Sequence, residues 1–230
     1  MRNLAIIPAR GGSKRIPKKN IKDFLGKPIM AYSIETALHS GLFDEVMVST
    51  DDEEIAQIAL QYGAKVPFMR SEKTANNFAP TVEVLKEVEE EYRNQFHKEF
   101  DYICCIYATA PFITEKHLEE GFRLLMDKNL SSVFPIVPFS YPVWRSLRIN
   151  EQGKTEMVWE KYINTRSQDI EPLYHDAGQW YWYNPKKITN SLFTNNSSSI
   201  ILSEEIVQDI DTFSDWKIAE IKYGILQNLT

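Results

Sequence analysis

Cysteine is scarce: two residues in 230, Cys104 and Cys105, adjacent inside an apolar run. A disulfide framework or a thiolate zinc site needs spaced pairs, so neither is expected, and both thiols read as reduced core residues. Long hydrophobic runs are missing as well. No stretch approaches the ~18–20 apolar residues that cross a bilayer. The apolar start Leu4-Ala5-Ile6-Ile7-Pro8-Ala9 is too short for a secretory signal and lacks its small-residue cleavage site, so a cytoplasmic location is expected and the sequons at Asn129, Asn195 and Asn196 carry no meaning. Nine glycines and eleven prolines are too few for a collagen-like or low-complexity chain. Nor is there a surplus of positive charge: 26 Lys+Arg stand against 32 Asp+Glu, a net of −6, which argues against a nucleic-acid-binding surface unless the cations are clustered.

What is present is ordinary for a globular enzyme. With 43% hydrophobic residues over 230 positions, a single α/β domain is expected, able to bury roughly 70–75% of its unfolded-chain surface. Short apolar runs alternate with amphipathic segments. Strands are predicted at Leu4–Ala9, Glu45–Thr50, Lys65–Phe68, Tyr102–Tyr107 and Ser132–Val137. Between them fall helices from Pro28 to Ser40, after an Asp52 cap, along Val82–Phe96, and after a Thr114 cap. This βαβ rhythm implies a mostly parallel sheet with helices on both faces, whose ligands bind beyond the carboxyl ends of the strands.

From 139 to 172 the pattern changes. Two β-like stretches, Val143–Ile149 and Thr155–Ile163, flank the hairpin signal Asn150-Glu151-Gln152-Gly153. Trp144, Trp159 and Tyr162 would be costly on a free arm, so this excursion is expected to pack on another subunit. A strand at Gln179–Tyr183, a short helix from Pro185, a polar loop Thr194–Ser199, a strand Ile200–Leu202 and a helix from Thr212 complete the chain. Trp180 and Trp182 share one face of their strand, Tyr181 and Tyr183 the other. His39, His97 and His117 sit on or near helices and read as solvated. Residues 1–230 form one domain, with no repeat and no linker.

The most informative segment is Arg10-Gly11-Gly12-Ser13-Lys14-Arg15-Ile16-Pro17-Lys18-Lys19-Asn20. Six cations (Arg10, Lys14, Arg15, Lys18, Lys19, Lys22) precede the acid Asp23 in an otherwise acidic chain. Gly11 and Gly12 let the backbone bring N–H groups close to an anion. Following the first strand, at the ligand-binding end of the sheet, the loop calls for a polyphosphate. It is not a Walker A loop, because Ile21 stands where the first glycine would be and Pro28 where Ser or Thr would be. It is not G-x-G-x-x-G either.

Ile7 through Ile21 resembles the signature of the CMP-sugar synthetases (acylneuraminate cytidylyltransferases). The similarity continues through Val48-Ser49-Thr50-Asp51-Asp52, Ala108-Thr109-Ala110-Pro111 and Asp209-Ile210-Asp211-Thr212, and so spans nearly the whole chain. The resemblance implies a Rossmann-like fold of the nucleotide-diphospho-sugar transferase type. It further implies CTP and a nonulosonic acid as substrates, Mg2+ as cofactor, and a homodimer joined through the 139–172 excursion. Tyr107-Ala108-Thr109-Ala110-Pro111-Phe112 replaces the Gln-Pro-Thr-Ser-Pro-Leu-Arg pattern usual in members acting on sialic acid. Tyr174-His175-Asp176-Ala177-Gly178-Gln179-Trp180-Tyr181-Trp182 replaces their Asn-Gly-Ala stretch. Both departures lie where the family binds sugar. The pattern is most similar to members acting on pseudaminic acid, a component of bacterial surface and flagellar glycans.

The same resemblance assigns roles. Arg10, Lys19 and Lys14 would neutralise charge on the triphosphate and the leaving pyrophosphate. Ala9, Gly11, Gly12, Ser13, Asn20, Arg70 and Thr81 would hold the nucleotide, with a plain N-cap as the alternative for Thr81 and an ordinary surface arginine for Arg70. Asp209 and Asp211 would hold the metal: if the segment is extended, both carboxylates point one way and can share a hard cation. Asp51 is a weaker candidate that could instead order the basic loop. Tyr107, Arg166, His175, Asp176 and Gln179 would meet the sugar. Adjacent strand residues face opposite ways, so His175 and Asp176 are not expected to form a catalytic dyad. The expected reaction is attack of an anomeric hydroxyl on the α-phosphate of CTP. Alternatives are a cytidylyltransferase for legionaminic, sialic or octulosonic acid, a UTP- or GTP-dependent sugar-phosphate nucleotidyltransferase, or a nucleotide-binding regulator without turnover.

Overall fold

A computed structural model describes residues 1–76 and 78–228. In chain order the elements are β1 (Asn3–Pro8), β2 (Asp23–Phe24), β3 (Lys27–Pro28), α1 (Ile29–His39), β4 (Glu45–Ser49), α2 (Glu53–Gln61), α3 (Glu72–Ala75), α4 (Thr81–Phe96), β5 (Tyr102–Ile106), α5 (Glu115–Asp127), β6 (Ser132–Pro138), β7 (Leu147–Ile149), β8 (Thr155–Met157), β9 (Tyr174–Asp176), β10 (Trp180–Tyr183), β11 (Ser197–Ile201) and α6 (Phe213–Asn228). The central sheet runs β11-β6-β10-β5-β1-β4, with β9 also pairing β6. β1 is parallel to β4 and β5, and β6 is parallel to β11. β10 lies antiparallel between β5 and β6.

The period-two pattern of β1 divides the core. Ala5 and Ile7 pack with Met30 and Ile34 of α1, Ala59 of α2, and Leu118 and Leu125 of α5. Leu4 and Ile6 pack on the other face with Leu85, Val88 and Tyr92 of α4. Helices therefore cover both faces, as the alternating pattern requires. Both faces of β10 are core: Trp180 and Trp182 join the first cluster, Tyr181 and Tyr183 the second. Trp180 lies so close to α5 that a Cβ built on Gly121 would come 2.3 Å from its indole. A third cluster docks α6 through Trp216 and Ala219 onto Ile16, Phe24 and Ile29.

Several expectations need correction. Lys65–Phe68 forms a single bridge, Lys65 to Met47, not a strand. Lys65 N–H donates to Val46 O and Val48 N–H to Lys65 O, but the next donor along the ladder would be Pro67, which has no N–H. The expected helix from Pro185 is a turn: the Asn184 side chain takes the Lys186 N–H, and the Lys187 N–H closes on Asn184 O. The last strand begins at Ser197, because the Ser197 hydroxyl bonds that of Ser132 at 2.7 Å and starts the ladder with β6. The two stretches of the 139–172 excursion shrink to the three-residue β7 and β8, paired antiparallel and flanked by 3-10 turns. Trp144 packs against Trp159 and Tyr162, with ring centroids 5.2 and 5.6 Å away. His39 and His97 are exposed, but His117 is half-buried and burial lowers its pKa. Among the described residues no helix is long and apolar enough to cross a membrane.

Candidate active site

The parallel strands β4, β1 and β5 end side by side; the connection from β1 runs to β4 on one side and that from β4 crosses back to β5 on the other, and such a reversal of strand order opens a crevice. The basic loop fills its rim. Ala9 is buried and donates its N–H to Ser49 O at 2.9 Å, anchoring the loop's start. Gly11 N–H donates to Asp51 Oδ1 at 2.9 Å, and a Cβ on Gly11 would come 2.7 Å from Asp52 Oδ2, so residue 11 must be glycine for the loop to lie against α2's cap. Asp51 thus orders the loop. The buried Asn20 ties its far end back by donating Nδ2–H to Arg10 O at 2.9 Å. Ile16, wholly buried in the α6 cluster, pins the middle.

This anchoring sorts the six cations. Arg10, Lys14, Arg15 and Lys19 line a cleft of ≈ 590 Å³ together with Ser13 and Asn20. Lys18 turns outward to an ion pair with Glu54, and Lys22 lies over the rings of Trp216 and Phe213 at 5.5 and 5.9 Å. Gly12 is exposed on the loop.

The opposite wall is uncharged apart from one arginine. Arg70, 8% exposed, donates Nε–H to Ser49 Oγ at 3.0 Å and its NH2 to Ser49 O at 2.6 Å. Burial lowers its pKa, and the negative charge of Asp51 and Glu87 opposes that shift. Thr81 is the first residue of α4 rather than its cap, and its Oγ1 lies 2.9 Å from Tyr107 Oη. Tyr107, Ala79 and Thr74 complete this wall. Glu87 of α4, not singled out from sequence, holds the 71–74 segment in place. It accepts from Ser71 N–H at 2.7 Å, Ser71 Oγ–H at 2.9 Å and Thr74 Oγ1–H at 2.5 Å.

Asp211 closes the cleft from the C-terminal side. Its Oδ1 lies 2.7 Å from Arg15 NH2 and 3.6 Å from Lys19 Nζ, and Lys19 also donates to Ile210 O at 2.6 Å. The segment is held by a capping box that sequence reasoning missed, although Thr212-x-x-Asp215 spells it. Asp215 Oδ2 accepts from Thr212 N–H and Asp211 N–H at 2.7 and 3.1 Å, and Thr212 Oγ1 accepts from Asp215 N–H at 3.2 Å. Asp209 does not line the same cleft. It faces a second cavity of ≈ 370 Å³, with His175, Asp176, Gln208 and Lys222. Partial burial and the Asp211 charge raise the Asp209 pKa, so the two carboxylates feel each other. Among the described residues no three His, Cys, Asp or Glu side chains gather as a ready-made metal site. Asp211 on the cationic cleft, with Asp209 two residues away on a neighbouring cavity, offers hard oxygen ligands of the kind that fit a cation completing its shell with phosphate oxygens and water.

The sugar-side candidates divide. Tyr107 is in the cleft; His175 and Asp176 are in the second cavity. His175 Nδ1 meets Asp176 O at 2.9 Å, a backbone contact rather than a dyad, and its ring packs 5.0 Å from that of Phe139. Gln179, 2% exposed, donates Nε2–H to Ile206 O at 2.8 Å and lines neither cavity. Arg166 is exposed on the excursion, at the start of a 3-10 turn, away from both.

Comparison with known proteins agrees with this geometry. The sequence matches the model of the family described as Cytidylyltransferase over residues 4–172. It is 43% identical over 227 residues to the pseudaminic acid cytidylyltransferase of Campylobacter jejuni, covering 98% of this chain and 97% of the relative. It is 34% identical to the CMP-N,N'-diacetyllegionaminic acid synthase of Legionella pneumophila, covering 96% and 95%. Among solved structures, a CMP:2-keto-3-deoxy-manno-octonic acid synthetase complexed with CTP superposes with a TM-score of 0.70 at 20% identity over 99% of this chain and all of the other, a likeness of fold. Sequence and fold agree: the chain belongs to the cytidylyltransferase family, the nucleotidyltransferases that use CTP.

Proposed function

We propose that the enzyme joins CTP to pseudaminic acid, forming CMP-pseudaminic acid and pyrophosphate. The observation that carries the reading is the convergence of Arg10, Lys14, Arg15 and Lys19 with Asp211 on one cleft whose far wall is nearly uncharged. The choice of sugar is supported by the 43% identity to a named pseudaminic acid cytidylyltransferase.

In this reading the anomeric hydroxyl oxygen bonds to the α-phosphorus and gives up its proton to solvent water, while the bond from that phosphorus to the bridging oxygen breaks and pyrophosphate departs with those electrons. Arg10, Lys14 and Lys19 stabilise the charge that builds on the phosphates. Fixed cations need no reorganisation during reaction, which is where most of the rate gain in such transfers lies. Ser13 and Asn20 border the triphosphate, and the backbone of Ala9, Gly11 and Gly12 shapes the loop around it. Arg70 and Thr81 face the nucleoside. Asp211 and Asp209 are the residues that would hold Mg2+, which when bound supplies further neutralisation of phosphate charge. The cavity lined by His175 and Asp176 receives the sugar, with Tyr107 between the two compartments. Holding both substrates together converts a bimolecular reaction into an intramolecular one, worth up to ~7–11 kcal/mol.

The single domain 1–230 acts as a homodimer, the 139–172 excursion of one protomer bringing Arg166 to the sugar carboxylate of its partner. Exposed Tyr141, Leu147 and Ile149, at 86%, 62% and 75%, give this excursion an apolar surface to cover. Pyrophosphate release with CTP and Mg2+ across a panel of nonulosonic acids tests the reading. Pseudaminic acid is expected to give the highest kcat/KM; preference for sialic or legionaminic acid would overturn the choice of sugar.

A further inference from the structure

Arg70 meets the cleft from a buried position, and its donors are bonded only to neutral oxygens of the protein. Its backbone N–H donates to Thr50 O at 2.8 Å, its Nε–H to Ser49 Oγ at 3.0 Å and its NH2 to Ser49 O at 2.6 Å. Two of the five guanidinium N–H groups are thus spent on Ser49, and the others are available to a ligand in the cleft. All of these contacts hold Arg70 from the β4 side. The chain that follows it is held by Glu87, near the middle of α4.

The Glu87 carboxylate takes the Ser71 N–H at 2.7 Å, the Ser71 Oγ–H at 2.9 Å and the Thr74 Oγ1–H at 2.5 Å. The N–H belongs to the peptide group that joins Arg70 to Ser71. The backbone is therefore tied on both sides of Arg70, to Thr50 O before it and to Glu87 after it. Thr74 is buried on the cleft wall, and α4 supplies Thr81 to the same wall, so one carboxylate binds the two parts of that wall together. Burial would raise the Glu87 pKa, but the hydrogen bonds from Ser71 and Thr74 outweigh it, with the Arg70 charge adding to them, and hold the carboxyl below its ordinary value. It stays ionised and keeps the lone pairs that three donors need.

We propose that Glu87 is a positioning residue for the choice of base: by fixing the Arg70–Ser71 peptide it aims the remaining N–H groups of Arg70 at the acceptor edge of cytosine. A guanidinium can only donate. Cytosine offers it a carbonyl oxygen beside an unprotonated ring nitrogen, whereas uracil carries a proton on that nitrogen and meets the donor with a donor. Glu87 touches no substrate and acts on the base through Arg70. The proposal rests on the reading above that sets the nucleoside against Arg70.

The test compares dissociation constants for CTP, UTP and inorganic triphosphate with the wild type, Glu87→Gln, Arg70→Met and the double variant. Glu87→Gln is expected to weaken CTP about three- to ten-fold, the worth of one net hydrogen bond, and to narrow the preference for CTP over UTP. Inorganic triphosphate, which has no base, is expected to bind no more weakly. Loss of a negative charge would by itself strengthen all three ligands, so a loss confined to CTP reports the position of Arg70 and not the field of Glu87. Once Arg70 is Met, Glu87→Gln is expected to change CTP affinity by less than about two-fold, because its effect passes through Arg70. Ser71→Ala, at an exposed residue, removes one donor to Glu87 and is expected to act in the same direction; it decides the matter if Glu87→Gln does not fold. Equal weakening of all three ligands, unchanged CTP affinity in the folded variant, or a full Glu87→Gln effect in the absence of Arg70 would each overturn the proposal. CTP affinity untouched by Arg70→Met would overturn the placement of the nucleoside, and the proposal with it.

Discussion

Lys19 Nζ stands 3.6 Å from Asp211 Oδ1, reaching from the loop after the first strand to the segment before the last helix. It is one-fifth exposed and bonded to Ile210 O, so its position is set by the fold rather than by the carboxylate alone. A cation placed in this way is ready to meet phosphate charge without moving.

In the proposed reaction, replacing Lys19 by Met, or Arg10 by Ala, removes a cleft-lining charge from the transition state. The expected loss in kcat for pyrophosphate release is about 10²–10³-fold, or ~2.7–4 kcal/mol. Lys18→Ala, whose side chain is paired with Glu54 outside the cleft, is expected to change kcat by less than about three-fold. Equal losses at Lys18 and Lys19 would show that overall loop charge, not position, governs the rate.

Gly121→Ala sets two effects against each other. Helix propensity favours alanine by about 1 kcal/mol. The 2.3 Å approach to a wholly buried Trp180 opposes it, and overpacking of this kind costs roughly 1–3 kcal/mol or more. Net destabilisation is predicted in urea titrations, with partial recovery in the double variant Gly121→Ala/Trp180→Phe. A more stable single variant would contradict the packing.

Asp215→Ala removes half of the capping box that fixes Asp211. Loss of such a cap costs about 0.5–2 kcal/mol, measurable by thermal unfolding. Because the Asp211 N–H also loses its partner, kcat is expected to fall even where the protein remains fully folded. Full activity would show that the segment is held by other contacts.

Glu45 couples stability to acid. Burial, at 7% exposure, would raise its pKa, but hydrogen bonds from Tyr92, Lys65 and Lys98 outweigh it and hold the carboxyl below its ordinary value. A depressed folded pKa gives stability that is complete above the unfolded value, ~4.3, and is lost as pH falls through the lower folded one. Urea midpoints of the wild type and Glu45→Gln are expected to differ most at neutral pH and converge in acid; a gap that widens in acid would reverse the sign.

Much of this was legible in the sequence, for physical reasons that can be named. β1, α1, α4 and α5 carry clean periodicities, and caps at Asp52 and Thr114 mark two helix starts to the residue. The cationic loop was legible because its glycines and charges are contiguous. The fate of Lys18 and Lys22 was not, because Glu54 and Trp216 are brought to them only by the tertiary fold. Nor was the separation of Asp209 from Asp211: spacing places two carboxylates near each other but does not show that they line different cavities. The antiparallel β10 reads like any buried strand, because an apolar run carries no direction. Its orientation follows from a chain that leaves β6 for the 139–172 excursion and returns along the same strand through β9.

The structure of the protein with CTP and Mg2+ bound is the most direct measurement. The account predicts the triphosphate against Arg10, Lys14 and Lys19, with the metal at Asp211. A nucleotide lodged in the cavity of His175 and Lys222, or a triphosphate out of reach of Lys19, would contradict it.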